Sequence, residues 1–340
     1  PMTDLHLTLG RTRAGAPVIW SGADNPHIAV SGRSGSGKSY FLKGLLEQAA
    51  QQKATCLVLD YSGDFPGYRP PEGISFRRLD VSHPDFRFNP LAHGDDSSPQ
   101  VAAQRLLTAI HNVSRIGARA SLSLQTAALE YLEAAAHPSL RGLADFARQK
   151  ERPNAGLAAA LEPLDLLAAL VRCGEEPISL DLTNPGISVL SFDQILNTRI
   201  RSLLVELLLG AVWAQRISQP DWSRPLILLL DECQNLSWGE GSMAVRILRE
   251  GRKYGLAGWF SSQYITQKTA AAALGQAALQ AYFRPDDANI PHLARSFSQA
   301  GAGSAAQWSQ LIRNLKVGQF LLNNGPGNHL VVTVPQRRGR

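Results

Sequence analysis

The chain is poor in sulfur: three cysteines, Cys56, Cys173 and Cys233, and two methionines among 340 residues. No two cysteines form a Cys-x-x-Cys pair and their number is odd. A disulfide framework and a structural zinc site are therefore not expected, and buried thiols in a reducing compartment are. Long apolar runs are missing as well. The longest, Leu203 to Val212, is interrupted by Glu206 and too short to cross a bilayer, and no secretory leader is visible. Charged residues make up only 18%, against 44% hydrophobic. That balance excludes a disordered chain and leaves ample material for one large core. No internal repeat is present. The net charge of +6 fits an anionic partner or a mildly basic soluble enzyme equally, because composition does not say where charges cluster.

What is present is arranged around Ser31 to Tyr40, which reads Ser-Gly-Arg-Ser-Gly-Ser-Gly-Lys-Ser-Tyr. Gly32, four residues, then Gly37-Lys38-Ser39 is the spacing of a phosphate loop. A backbone that wraps a triphosphate must turn its N–H groups inward, and Gly35 and Gly37 permit this without a Cβ clash. The loop residues Gly32, Ser34, Gly35, Ser36, Gly37 and Tyr40 would then line the phosphates. Lys38 would reach the β- and γ-phosphates and Ser39 would ligate Mg²⁺. The surroundings fit: His27 to Val30 reads as a buried strand, and Phe41, Leu42, Leu45, Leu46 and Ala49 recur at helical spacing through Gln52. Strand, turn and helix N-terminus is the layout in which a helix dipole faces an anion. ATP and Mg²⁺ are the cofactors this implies.

Around that loop the chain alternates strands and helices. Leu5 to Trp20 suggests a hairpin, and Thr55–Asp60 and Ile74–Val81 are strands. From Gln100 to Cys173 the chain turns rich in Ala and Leu and reads as several short helices. Their stripes are Leu106, Leu107, Ile110, Val113 and Leu122, Leu129, Leu132, Ala136, punctuated by His137-Pro138 and Arg152-Pro153. Strands resume at Ile187–Phe192, Pro225–Asp231 and Leu256–Ser261, with helices over Ile200–Ala211 and Gly241–Tyr254. Further helices are expected at Ala271–Ala281 and Asp286–Phe297, and strands at Gln319–Asn323 and His329–Val334. The pattern predicts an α/β fold whose mostly parallel sheet is covered on both faces. Residues 1–95 would form the first part of the core with its N-terminal hairpin, 96–175 an all-α insertion, and 176–340 the second part with a basic tail.

Leu226 to Leu230 is a fully apolar strand that delivers Asp231-Glu232 to its C-terminal end, where open α/β sheets bind ligands. Asp231 would hold Mg²⁺ and Glu232 would deprotonate the attacking water; a turn-capping acid pair is the alternative reading. In Gly241–Tyr254, Ala244, Ile247, Leu248 and Gly251 share one face, while Arg246, Arg249, Arg252 and Lys253 share the other. One of these cations could act as an arginine finger, worth roughly 10³–10⁵ in rate. Gln263, after the next strand, could sense the γ-phosphate or be an ordinary strand-end amide.

In order, the chain has a phosphate loop, a helical insertion, an Asp-Glu strand, Arg249-Glu250-Gly251-Arg252-Lys253-Tyr254-Gly255-Leu256 and Ser261-Ser262-Gln263. From about His27 to Val334 this resembles the HerA/FtsK superfamily of ring-forming motors, which includes type IV secretion ATPases and conjugative coupling proteins. The resemblance implies a RecA-like three-layer core acting as a homo-hexamer around a pore. Sites would lie between subunits, with Arg252 as the finger offered to a neighbour and Gln263 as the sensor. Asp60-Tyr61-Ser62-Gly63-Asp64 resembles the family's acid-containing loop, read here as turn capping with no role carried over.

The chain departs from the family at its ends. About twenty-five residues precede the first core strand, where HerA-type proteins carry a β-barrel and coupling proteins a membrane segment. Gln336-Arg337-Arg338-Gly339-Arg340 stands where FtsK-type motors carry a DNA-reading domain. The expected function is ATP-driven movement of non-specifically held DNA. The alternatives are a type IV secretion energiser, cytoplasmic or peripheral at the inner membrane through a partner, and a non-motor nucleotide switch.

Overall fold

The computed structural model describes residues 4–92, 98–150, 155–263, 265, 267–301, 303–323 and 329–335. The basic tail 336–340 and the Arg152-Pro153 break lie outside the described residues. The first elements are β1 (His6–Arg11), β2 (Pro17–Ser21), β3 (Ile28–Ser31), α1 (Lys38–Gln51), β4 (Thr55–Asp60) and β5 (Phe76–Asp80). Then come α2 (Pro99–Val113), α3 (Ala118–Ala134), α4 (Leu140–Lys150), α5 (Ala155–Leu170), β6 (Gly186–Ser191), α6 (Thr198–Ser218) and β7 (Leu226–Leu230). The remainder is α7 (Met243–Glu250), β8 (Leu256–Ser262), α8 (Lys268–Leu274), β9 (Leu279–Phe283), α9 (Ile290–Ala300), α10 (Ala305–Arg313), β10 (Gln319–Asn323) and β11 (His329–Thr333).

All strands join one sheet in the order β2-β1-β11-β10-β9-β3-β8-β7-β4-β6-β5. From β9 to β5 every neighbour is parallel, and the other four strands add antiparallel at one side. The pleat divides the core. Ile227 and Leu229 of β7 face α1 with Val30, Val58 and Trp259, while Leu226, Leu228 and Leu230 face the helices on the opposite side. Burying a side chain as fully as these contributes about 2 kcal/mol each, which explains why β7 tolerates no polar residue. The α2–α5 helices share a core with α6 and that second face rather than enclosing one of their own. The result is the three-layer α/β arrangement the alternation requires.

Three departures from the sequence reading have local causes. The helix expected over Ala271–Ala281 stops at Leu274, where Gly275 follows, and Leu279–Phe283 is the strand β9 beside β3. Its alternating burial is a period-2 signal that the preceding alanine run obscures. The Gly241–Tyr254 helix tightens to 3₁₀ geometry from Gly251 to Tyr254. Cys173 is exposed, unlike Cys56 and Cys233. No helix among the described residues is long and apolar enough to cross a membrane.

The start of α7 is held by a residue of another helix. Ser242 gives it no side-chain cap, and the Met243 N–H instead donates to Oε1 of Glu206, in the middle of α6, at 2.6 Å. Burial pushes the Glu206 carboxyl up to about 7, against the opposing pull of the Met243 and Asn112 hydrogen bonds. The folded chain therefore holds a proton there that the unfolded chain releases near the ordinary value of 4.5. Stability conferred at low pH is lost as pH rises from about 4.5 through about 7. Glu206→Gln keeps the acceptor and abolishes this loss. Urea unfolding should find the variant about as stable as the parent near pH 4 but about 3 kcal/mol more stable near pH 8.

Candidate nucleotide and metal site

Four adjacent parallel strands, β3, β8, β7 and β4, end side by side and present four segments at one edge of the sheet. The end of β3 carries the phosphate loop. Its backbone is tied down by Gly32 N–H to Ser262 O (3.2 Å), Arg33 N–H to Arg284 O (2.9 Å) and Gly318 N–H to Ser36 O (3.0 Å). Two glycines are obligatory here. Gly32 and Gly37 have φ of +152° and +108°, and a Cβ would come within 2.6 Å of Phe283 Cβ at the first and 2.9 Å of Gly318 N at the second. Gly37 is also the N-cap of α1 and gives its first turn no side-chain acceptor. The helix N-terminus thus remains directed at a ligand rather than at its own chain. Ser36 donates to Arg33 O, Ser34 and Gly35 form the rim, and the Tyr40 side chain is partly exposed beyond it.

Lys38 is buried, its Nζ donating to the carbonyls of Gly32 (2.6 Å) and Arg33 (2.9 Å). Burial holds its ammonium below the usual lysine range, while Glu232, Asp64, Asp231 and Asp286 pull the other way. Those acids come from the neighbouring strand ends. Carboxylate oxygens of Asp64, Asp231 and Glu232 lie within 4.8 Å of one another. Burial pushes Asp231 up to about 7, with Asp64, Glu232 and Asp60 adding repulsion and the Ser62 hydroxyl, which donates to Asp231, opposing. Three hard oxygen donors with uncompensated charge suit a Mg²⁺-sized cation. The Ser39 hydroxyl, 2.9 Å from Asp64 Oδ2, is in place to join them.

Glu232 occupies left-handed backbone (φ +48°), a conformation costing on the order of 1 kcal/mol for a non-glycine residue. Its Oε1 accepts from Nε2 of Gln263 at 3.1 Å and its Oε2 accepts from Gln234. The second amide has no counterpart in the sequence reading, because nothing in Cys233-Gln234-Asn235 distinguishes it from turn residues. Asp64 and Ser62 were legible only as turn formers. Asp60 is indeed the cap, accepting from the N–H groups of Asp64 and Phe65. Gly63, at φ +80°, then turns Asp64 back towards Ser39.

The profile of the helicase HerA central domain family matches residues 19–206, more than half of the chain. The chain belongs to that family. Among solved structures, VirB4 of Thermoanaerobacter pseudethanolicus superposes on this HerA-family chain with a TM-score of 0.77 at 15% identity, over 98% of this chain and 96% of that one. The bacterial conjugative coupling protein TrwBdeltaN70 gives 0.66 at 16% identity, covering 100% and 95%. Plasmid coupling protein TrwB in complex with ADP and Mg²⁺ gives 0.66 at 16%, covering 99% and 96%. The RecA-like P-loop ATPase fold is therefore established. No curated protein matches the sequence.

Within one copy of this HerA-family chain, Arg252 stands apart. It precedes β8, whereas Gln263 follows it, so the strand's length of about 20 Å separates Arg252 from the phosphate loop. Its guanidinium donates to the Asp24 carbonyl, beside the buried His27, whose imidazole is held down to about 4 by burial and then by Arg252. Arg252 cannot meet a phosphate in its own loop.

Asp64→Asn should weaken Mn²⁺ binding in the presence of ADP by about tenfold, read as free Mn²⁺ by electron paramagnetic resonance, and leave metal-free ADP binding intact. An unchanged Mn²⁺ affinity would remove Asp64 from the metal's surroundings.

Proposed function

We propose that the chain is a ring-forming ATPase that hydrolyses ATP with Mg²⁺ and moves DNA through a central pore. The observation that carries this is the meeting of the phosphate loop, three carboxylates and Gln263 on neighbouring strand ends, with Arg252 outside its own site. In this reading the 32–37 backbone N–H groups bind the phosphates and Lys38 leaves its loop carbonyls to neutralise the β- and γ-oxygens. Ser39 and Asp231 hold Mg²⁺, which when bound would draw charge from the β- and γ-oxygens. Glu232 accepts the proton of the water that attacks the γ-phosphorus, and Gln234 keeps its carboxylate aimed. Gln263 reports the γ-phosphate by exchanging its bond to Glu232 for one to phosphate. A neighbouring copy's Arg252 completes the site, which makes hydrolysis a property of the boundary between copies in a homo-hexamer.

A second reading, an energiser of type IV secretion acting on protein or protein–DNA cargo at the inner membrane, draws support from the superposition on VirB4 over nearly the whole of both chains. A non-motor switch is disfavoured by the full hydrolytic set around Glu232. In the motor reading, ATP turnover rises on adding duplex DNA and the stimulation fades with salt, as phosphate contacts demand. Turnover indifferent to DNA, with co-purification of membrane secretion components, supports the energiser instead. Glu232→Gln that spares hydrolysis would support the switch.

The boundary site has its own test. Lys38→Ala and Arg252→Ala should each be inactive alone. Mixed before assembly in equal amounts they should recover about a quarter of parental turnover, since that fraction of boundaries pairs an intact loop with an intact arginine. No recovery in mixed rings would place the arginine elsewhere.

A further inference from the structure

On the sheet face away from α1, a groove of about 480 Å³ runs along the second half of α6, with α2 on one side and the start of α7 on the other. Its floor includes Ala211 and the buried Trp213. Val101 of α2 and Ile217 of α6 stand on its rims at 48% and 40% exposure.

Two cations face this groove. The stem of Arg105 lies across α6 at Gly210, where a Cβ would be 4.0 Å from its Cδ. The guanidinium of Arg246 sits 5.0 Å from the centre of the Trp213 ring. Among the described residues neither arginine has an ion pair. Arg105 is held below its ordinary range by burial first and by the like charge of Arg246 second. Glu206, which also lines the groove, pairs with neither arginine, and its Oε1 accepts from Met243 and Asn112.

We propose that this groove docks an acidic, apolar-faced segment of another protein, whose carboxylates pair with Arg105 and Arg246 while its apolar side chains cover Val101, Ala211 and Ile217. Charge complementarity selects the carboxylate, since guanidinium groups bind carboxylates in bidentate geometry. The apolar floor and rims select a peptide over a nucleic acid, whose phosphates bring no apolar groups to bury; a side-chain row set into a groove is the usual form of such recognition. Docking here would be felt by α7, which leads through Gly251 to Arg252. The site is separate from the phosphate loop and does not depend on how ATP is used.

Random displayed peptides of about a dozen residues supply the probe. They are selected on the full chain and counter-selected on the Arg105→Glu/Arg246→Glu variant. The expected result is enrichment of Asp or Glu beside Leu, Ile, Phe or Trp. A labelled peptide of that kind should lose about tenfold or more in affinity on each single arginine variant and on Ile217→Lys. A lysine-substituted version should regain binding on the double variant. Far-ultraviolet dichroism and melting temperature check that the variants stay folded. Peptides without acids, or binding indifferent to these substitutions, overturn the proposal. So does displacement of the peptide by an oligonucleotide, which would make the groove a phosphate surface. A change in sedimentation of the double variant in place of peptide loss would make it a contact between copies, and would overturn the proposal as well.

Discussion

One buried ammonium set against a crowd of carboxylates governs this molecule. Lys38 is driven down by burial, and Asp231 is driven up by the same burial together with its acidic neighbours. Neither is at rest in water's terms, and folding supplies no salt bridge between them: Lys38 turns to the loop carbonyls and Asp231 to Ser62. A protein carries such uncompensated polarity where a ligand is to complete it. A triphosphate offers anionic oxygens to Lys38 and its magnesium offers positive charge to the acids, so one ligand resolves both strains.

The rest of the architecture follows from the need to hold that arrangement. Lys38 and Asp231 are 193 positions apart, and only a parallel sheet with crossovers brings β3 and β7 to the same edge with β8 between them. Each strand end then contributes different chemical groups: loop amides, the Gln263 amide beside Glu232, an acid pair, and a turn whose acid reaches Ser39. The strand β8 also joins two sites in one rigid element. Gln263 is at its far end and Arg252 just before its start, so β8 links the phosphate-loop edge of the sheet to Arg252 at the opposite edge.

Much of this was legible in the sequence where residue type and period agree. The phosphate loop, the apolar β7 with its acids and the parallel architecture all show in the spacing and period of their runs. What was hidden depended on the direction in which a side chain points. Asp60 and Asp64 look alike in a turn-rich stretch, yet one caps the turn while Gly63 sends the other to Ser39. Gln234 is unremarkable until Glu232 adopts left-handed backbone and swings its carboxylate under it. The strand β9 was masked by the alanines before it, and the burial of Glu206 by the amphipathic pattern of α6, which contains it on its buried side. Arg252 is the opposite case: the family resemblance reads it into a neighbour's site, and within one copy it lies at the end of β8 away from the phosphate loop.

The most direct test is a cryo-electron-microscopy structure of the assembled protein with Mg²⁺ and ADP–aluminium fluoride. The account expects the metal between Ser39 and Asp231, Gln263 detached from Glu232, and the adjacent copy's Arg252 on the fluoride. A metal bound away from Asp231, or a complete site built from a single copy, would contradict it.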